Sequence, residues 1–434
     1  MQTNFTLAQL ADPDIAVSEK ILRSCVHCGF CTATCPTYVE LGDELDSPRG
    51  RIYLIKDMLE DARPANDEVT LHIDRCLSCF ACMTTCPSGV DYMHLVDHAR
   101  AYIEDTYERP WIDRTIRSIL AAILPYPGRF RAALTAAKIG KPFKLLVGIL
   151  PAGKRLAAML DLAPWKLPPA SPSQRPGVFP AEGLRRGRVA LLRGCAQSVL
   201  DPGINDAAIR LLNRAGIEVV LSTDEGCCGA IVHHMGRAEQ SHGLAKRNID
   251  AWTREIDGQG LDAILVTTSG CGTSLKDYGF IFRNDPAYAD KATLVSRLSK
   301  DVSEYLEAIE LGAPKLTPTM TVAYHAACSL QHGQQIKTTP KALLARAGFA
   351  VREPNEAHIC CGSAGTYNML QPEISARLKA RKAKNILATG ADVVTAGNIG
   401  CLVQIGSAID KPVLHIVELL DWVYGGPKPR QLQA

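Results

Sequence analysis

The sequence predicts a multidomain protein in which a small α-helical domain precedes two tandem α/β repeats with parallel sheets. Three observations lead to this prediction. Eight regularly spaced cysteines lie in the first 110 residues, residues 111–187 contain none, and beyond residue 188 cysteines recur at a fixed offset among alternating strand-like and helix-like segments. The 434 residues, 47% hydrophobic and 21% charged, are enough for several packed cores.

We expect four regions along the chain: a helical domain at 1–110, a connector at 111–187, and the two repeats at 188–315 and 316–434. The connector is basic, apolar and rich in proline. Six prolines between residues 164 and 180 prevent a helix from continuing there, so this part is predicted to be a linker. The segment 116–150 carries six basic residues and no acidic one.

Two cysteine motifs of one type define the N-terminal domain. Residues 25–36 read CVHCGFCTATCP and residues 76–87 read CLSCFACMTTCP. Both match the CxxCxxCxxxCP run that binds [4Fe–4S] clusters, in which three close cysteines surround one cluster and the fourth reaches the other. We therefore expect two [4Fe–4S] clusters with crossed ligand sets: Cys25, Cys28, Cys31 and Cys86 for one, and Cys76, Cys79, Cys82 and Cys35 for the other.

Structural zinc sites are the alternative, because CxxC pairs also bind zinc. Zinc sites seldom place three close cysteines before a proline-flanked fourth, so iron–sulfur clusters are the better reading. Residues 49–61, RGRIYLIKDMLED, are predicted to be helical. The arrangement resembles the α-helical ferredoxin domain of succinate-dehydrogenase-type iron–sulfur subunits.

Each C-terminal repeat contains a cysteine, a Cys-Cys-Gly motif and a last cysteine. The first three cysteines recur after 133 residues and the last after 130. Adjacent thiols cannot easily bridge each other, so the doublets need another partner, and we expect the glycine to let the backbone approach a bulky cluster. The candidate cofactor ligands are Cys195, Cys227, Cys228 and Cys271 in the first repeat, and Cys328, Cys360, Cys361 and Cys401 in the second.

Three strands are predicted in each repeat, at 188–193, 217–221 and 263–267 and at 321–325, 349–352 and 392–396. Helix-like segments separate them, which favours a parallel sheet. The first and last cysteines of each repeat follow strands directly. They should therefore lie at the carboxyl edge of the sheet, where open α/β sheets bind ligands.

This pattern resembles the cysteine-rich CCG domain of heterodisulfide reductases and related respiratory subunits, whose motif ends in CxxC and binds a [4Fe–4S] cluster. Ser274 and Gln404 occupy the place of that last cysteine here. The resemblance implies one further cluster at the repeats, with buried, reduced cysteines as the alternative. Four histidines near the cysteines are expected to be hydrogen-bonded core or surface residues rather than ligands: His233, His234, His325 and His358.

No dinucleotide or P-loop fingerprint is present, and clusters carry single electrons, so electrons must come from a partner. The stretches at 25–60, 194–197 (GCAQ), 267–272 (TTSGCG) and 360–369 (CCGSAGTYNM) resemble the iron–sulfur subunit of bacterial glycolate oxidase, or glycolate dehydrogenase. The resemblance implies flavin-containing subunits that oxidise glycolate to glyoxylate, a quinone or other membrane acceptor, and no catalytic residue on this chain.

Three alternatives remain: a disulfide reductase of the heterodisulfide reductase type, an iron–sulfur subunit of a D-lactate or glycerol-3-phosphate dehydrogenase, and a metal-stabilised scaffold. We expect a cytoplasmic protein, because MQTNFTLAQLADPD lacks the features of a signal peptide. The basic segment 116–150 predicts peripheral contact with the membrane, or a subunit interface. We expect no nucleic-acid partner.

Overall fold

The computed structural model of the protein describes residues 1–149 and 152–433. Residue 150, with which the predicted basic segment ends, and residue 434 lie outside the described residues. The N-terminal domain is helical, and the predicted helix 49–61 is α4, which begins after the capping hydroxyl of Ser47. Its helices are α1 (Leu7–Leu10), α2 (Pro13–Ser24), α3 (Pro36–Leu41), α4 (Pro48–Glu60), α5 (Asp67–Asp74), α6 (Ala81–Thr85) and α7 (Tyr92–Thr106).

The connector is also helical before its proline-rich part. It forms α8 (Trp111–Ile123), α9 (Pro127–Gly140), α10 (Lys144–Val147) and α11 (Gly153–Leu162). The apolar face of α8 packs against the first repeat, where Ile116 and Leu120 join a core with Val232 and Met235. In the part of the chain that the structure describes, no helix is both long enough and apolar enough to cross a membrane.

Each repeat forms one sheet, and the two sheets have the same strand order except for one additional edge strand in the first. The first has the order β1-β3-β2-β4-β5 and the second the order β7-β6-β8-β9. All pairs are parallel except β1 with β3, so the predicted fold class is confirmed. The strands are β1 (Gly177–Phe179), β2 (Gly187–Leu191), β3 (Ile217–Leu221), β4 (Ala263–Val266), β5 (Ser299–Asp301), β6 (Thr321–Tyr324), β7 (Ala350–Arg352), β8 (Val393–Ala396) and β9 (Val413–His415).

Helices connect the strands of both repeats. In the first repeat they are α12 (Ala196–Leu200), α13 (Gly203–Arg214), α14 (Ala230–His233), α15 (Ala238–Gly258), α16 (Ser269–Lys276), α17 (Tyr278–Ile281), α18 (Ala289–Leu298) and α19 (Val302–Ala308). In the second they are α20 (Thr339–Arg346), α21 (Tyr367–Leu370), α22 (Pro372–Leu387), α23 (Ile399–Gly406) and α24 (Ile416–Val423).

The two repeats share one hydrophobic core rather than folding apart. Helix α13 of the first packs along α24 of the second, and buried side chains of β2 and β6 belong to the same cluster. At this junction Asp421, 1% exposed, accepts hydrogen bonds from Arg210 at 2.6 Å and from Arg214. The sheets are therefore held in a fixed relation, with their carboxyl edges facing one common space. The domain limits given above remain a prediction.

Candidate functional site: three sulfur-lined cavities

The first cavity lies at the surface of the N-terminal domain. Cys25, Cys28, Cys31 and Cys86 line it, and Cys82 stands at its inner side. Cys28 is exposed, whereas Cys25 is buried. Beside it the loop side chains of Val26 and Phe30 are 66% and 65% exposed.

The second cavity is buried. It is lined by Cys35, Cys76, Cys79 and Cys82. The crossed ligand sets remain a prediction, because Cys82 lines both cavities. Polar groups point at two of these sulfurs. The hydroxyl of Tyr92 donates to Cys76 Sγ at 3.8 Å. The guanidinium of Arg51 donates to Cys35 Sγ at 3.8 Å.

The two motif loops share an unusual backbone. The residue two positions after the first cysteine is left-handed in both, His27 with φ 53° and Ser78 with φ 48°. The residue after the second cysteine is left-handed too, Gly29 with φ 85° and Phe80 with φ 58°. Such conformations cost energy for residues other than glycine and persist where the surrounding structure requires them. Here they curl each loop so that its thiols converge on one cavity.

The electrostatics of these thiols suit a cluster. Burial raises the pKa of Cys79 and of Cys82 well above the ordinary value, and it raises the pKa of Cys31 to about 11. A thiolate is stable in such surroundings only beside a strong positive partner, such as iron. Four converging sulfurs per cavity are also the donor set of a [4Fe–4S] cluster. The residues present therefore fit the predicted cofactor.

The third cavity lies between the two repeats, at the carboxyl edges of both sheets. It has a volume of about 190 Å³. Cysteines of both repeats line it: Cys195, Cys228, Cys271, Cys328, Cys360, Cys361 and Cys401. Cys227 is joined to this set through thiol contacts with Cys195 and Cys228.

The thiols within the second repeat form two close pairs. Cys328 Sγ lies 3.8 Å from Cys360 Sγ, and Cys361 Sγ lies 3.5 Å from Cys401 Sγ. The amide of Gly362 donates to Cys360 Sγ at 3.4 Å. In the first repeat, the amide of Gly229 makes the equivalent bond to a thiol at 3.4 Å.

The three cavities follow one another through the molecule. The first and second share Cys82 as a lining residue, and the second and third share Leu77 and Ser78. Cys79 packs in one apolar cluster with Cys360 of the second repeat. The sulfur-lined cavities thus form a continuous series from the surface to the space between the repeats.

The comparisons with known proteins agree with this architecture. Residues 21–90 match the family profile described as a 4Fe-4S dicluster domain, and residues 189–276 and 322–406 each match the cysteine-rich domain. The glycolate oxidase iron–sulfur subunit of Escherichia coli K12 is 40% identical over 97% of this chain and 98% of its own length. The chain belongs to the family of glycolate oxidase iron–sulfur subunits. The predicted resemblance is confirmed, and so is the class, an iron–sulfur component of an oxidoreductase.

Two further proteins are similar to this member of the glycolate oxidase iron–sulfur subunit family, one in sequence and one in fold. The probable glycolate oxidase iron–sulfur subunit of Bacillus subtilis 168 is 30% identical over 93% of this chain and 94% of its own length. A solved structure of a hypothetical protein from Helicobacter pylori has a TM-score of 0.54 at 10% identity. It covers 97% of this chain and 74% of that one, which shows a shared fold. The family carries iron–sulfur clusters as cofactors, as the cysteine motifs predict.

The structure shows a reason for the glycines of the doublets in addition to the predicted one. Gly229 has φ +89° and Gly362 has φ +86°. A Cβ on Gly229 would lie 3.0 Å from the carbonyl oxygen of Ser241, and one on Gly362 would lie 2.8 Å from that of Ser375. The glycines are thus required by a left-handed turn packed against the following helix.

Two side chains beside the cysteines were not expected from the sequence to take part in the site. His325, predicted to be a hydrogen-bonded core or surface residue, is 2% exposed, and within residues 1–149 and 152–433 its Nε2 has no hydrogen-bond partner. Lys382 is 1% exposed, and burial lowers its pKa while the nearby Cys361 and Cys360 thiols oppose that shift. Distance along the sequence conceals Lys382, because it lies on α22, well after the doublet. His325 is close to Cys328 in the sequence, but only the structure shows that it is buried.

The other three histidines have contacts of different kinds, and the Nδ1 atoms of His233 and His234 have no hydrogen-bond partner among the described residues. His233 and His234 approach Asp97 of α7 at 3.2 and 3.6 Å. The backbone carbonyl of His358 contacts His332 Nε2 at 3.2 Å. His234 also lines the third cavity.

Proposed function

We propose that this chain is the electron-transfer subunit of a membrane-associated complex that oxidises glycolate to glyoxylate. Flavin-containing subunits would supply the electrons and a quinone would receive them at the inner face of the cell membrane. Each cluster supplies one-electron transfer when bound. The chain itself supplies the crossed ligand sets of the two [4Fe–4S] clusters and the cysteines of a further cluster at the repeats.

One observation carries the proposal: the three sulfur-lined cavities share lining residues in sequence, with one end at the surface. An electron entering near the exposed Cys28 would have a sulfur-bounded route to the third cavity. Apolar side chains close the middle of this route, since Leu77 and Cys79 are 6% and 7% exposed. Burial excludes water from the route and fixes the relative positions of the sulfurs. This arrangement suits electron transfer better than substrate binding.

The test is co-purification of the chain with its partner subunits, followed by glycolate-dependent dye reduction with this subunit present and absent. We expect glycolate oxidation to be coupled to a quinone analogue only when the subunit is present. The variant Cys79→Ala should bind the partners yet lose quinone reduction, because it interrupts the second cavity. Reduction of a disulfide by the isolated chain, or a preference for D-lactate, would contradict the proposal.

Membrane contact is proposed for the connector. Ile139, Phe143, Leu146 and Ile149 are 76%, 56%, 65% and 82% exposed, and basic residues alternate with them. Such a face is typical of a segment lying at an anionic bilayer surface. Arg117 does not contribute to it, since it is buried against Asp74 and Asp113.

The membrane proposal is tested by changing Lys138, Lys141 and Lys144 together to glutamine. Each lysine near an anionic surface contributes about 1 kcal/mol, so the complex should move largely into the soluble fraction at physiological salt. Lys20, Lys384 and Lys428, all exposed, form the matched control triple. Equal membrane fractions for both triples would contradict it. Loss of the flavin subunits from the first triple would identify a subunit interface instead.

A further inference from the structure

The second repeat contains a third candidate ligand beside its cysteines. An imidazole nitrogen of His325 and the sulfurs of Cys361 and Cys401 all lie within 4.8 Å of one another. All three residues are buried. The two sulfurs are 3.5 Å apart, close to the separation of two thiolates on one tetrahedral metal ion with metal–sulfur bonds of about 2.3 Å.

One ring nitrogen of His325 has no hydrogen-bond partner among the described residues. His325 follows β6, and its backbone amide donates to the carbonyl of Thr395 at 2.8 Å, which fixes the residue at the sheet edge. Its Nε2 is buried and has no hydrogen-bond partner among the described residues. A buried polar atom without a partner destabilises the fold unless a ligand or ion binds it.

The first repeat has different residues at the positions equivalent to His325 and Lys382. Leu192 occupies the position of His325, and its amide makes the equivalent bond to Leu265 at 2.9 Å. Asn248 occupies the position of Lys382, as Ser241 and Ser375 show by bonding to the carbonyls of the two equivalent glycines. At these two positions the first repeat thus has an apolar and a neutral side chain, whereas the second has an imidazole and a buried lysine. His234 of the first repeat also lines the third cavity, but it lies 3.6 Å from the carboxylate of Asp97.

The position of the family's last cysteine does not supply a further thiolate ligand in this chain. Gln404 stands in its place, and its amide is already engaged, donating to Ser375 Oγ at 2.8 Å and accepting from Asn368 at 3.2 Å. The second repeat therefore lacks a fifth thiolate but has an unpaired imidazole close to two thiols. Imidazole replaces thiolate on one iron of Rieske centres, so this donor suits iron–sulfur chemistry.

We propose that His325 is a ligand, with Cys361 and Cys401, to one iron ion of the centre in the second repeat. This centre is a mixed thiolate–imidazole site, and the cysteine set of the first repeat is not. The buried ammonium group of Lys382 offsets part of the negative charge of the thiolates. The inference rests on the proposed function, in which the repeats hold a cluster.

The test is pulsed EPR on the full chain, reconstituted anaerobically with iron and sulfide and labelled with ¹⁵N-histidine. We expect a strong nitrogen coupling that changes with the label and is lost in His325→Leu, the residue found in the first repeat. His325→Cys should keep the iron, lose the coupling and lower the midpoint potential, because a thiolate is more negative than an imidazole. His332→Leu is the control, since both ring nitrogens of that buried histidine have partners and the coupling should persist.

Iron counting separates this inference from the proposed function. Two ferredoxin-type clusters give about eight irons per chain, and a centre at the repeats raises the count towards about twelve. A count that stays at eight, or zinc at the second repeat, would overturn the centre at the repeats and with it the histidine ligand, but would leave electron transfer through the two N-terminal clusters. A higher count with no histidine coupling, or a coupling that survives in His325→Leu, would overturn the histidine ligand alone.

Discussion

Arg51 is the buried charge around which the second sulfur cavity is organised. It is 1% exposed, and its Nε donates to the carbonyl of His72 at 2.7 Å. Its Nη2 donates to Thr37 Oγ1 at 3.0 Å and to the buried Asp46 at 3.3 Å. Each contact holds a different segment, so one side chain ties α4 to α5 and to the loop of the first motif.

Replacing Arg51 by leucine should lower the free energy of unfolding by about 3–5 kcal/mol, because Asp46 loses a buried partner. The measurement is the urea midpoint of the reconstituted chain. Arg23→Leu is the control, because Arg23 is 65% exposed in its pair with Glu19 and should cost at most about 1 kcal/mol. Similar midpoints for the two variants would show that the buried network is not required for stability.

The individual strands show what the sequence can and cannot predict. Six strands were predicted from alternating apolar runs, and each predicted end agrees with the structure within two residues. The strands β1, β5 and β9 were missed, because each has three residues and little apolar pattern. Strand β1 lies in the proline-rich segment predicted to be a linker, where it pairs with the edge of β3. The pairing of so short a strand depends on residues that are far away in the sequence and adjacent in the fold.

Helix α19 carries a buried carboxylate at its start. Asp301, 3% exposed, caps the helix by accepting from the amide of Ser303 at 2.9 Å and from its hydroxyl at 2.6 Å. Burial raises the pKa of Asp301 to about 6. Between the ordinary pKa of about 4 and 6, the folded protein binds a proton that the unfolded chain has lost. This group therefore makes the fold less stable as pH rises through that window.

The variant Asp301→Asn keeps a good capping residue and removes the titration. The free energy of unfolding of the variant minus that of wild type should increase by about 1.4 kcal/mol from pH 5 to pH 7.5. Urea midpoints at the two values measure the difference, in which the pH effects of other groups cancel. Asp12→Asn alters an exposed cap and should show a much smaller change. A difference that does not vary with pH would contradict the assignment.

At the scale of the molecule, contacts between the N-terminal domain and the repeats decide where the cavities lie. His94 bridges Asp91 at 2.6 Å and Asp277 of the first repeat at 2.8 Å. The hydroxyl of Tyr367 in the second repeat donates to the carbonyl of Arg75 at 3.0 Å, directly before the second motif. The cysteine motifs were evident from spacing alone. Their order in space was not, because it depends on such long-range contacts.

The crossed arrangement of the N-terminal cysteines can be tested by double substitution, because variants that affect one cluster should not add. If Cys28 and Cys86 bind the same cluster, Cys28→Ala with Cys86→Ala should lose about four irons, the loss expected for Cys28→Ala alone. Cys28→Ala with Cys35→Ala should lose about eight, because these residues line different cavities. Iron and sulfide analysis of the reconstituted variants gives the answer. An uncrossed arrangement, in which Cys28 and Cys35 bind the same cluster, would reverse the two results.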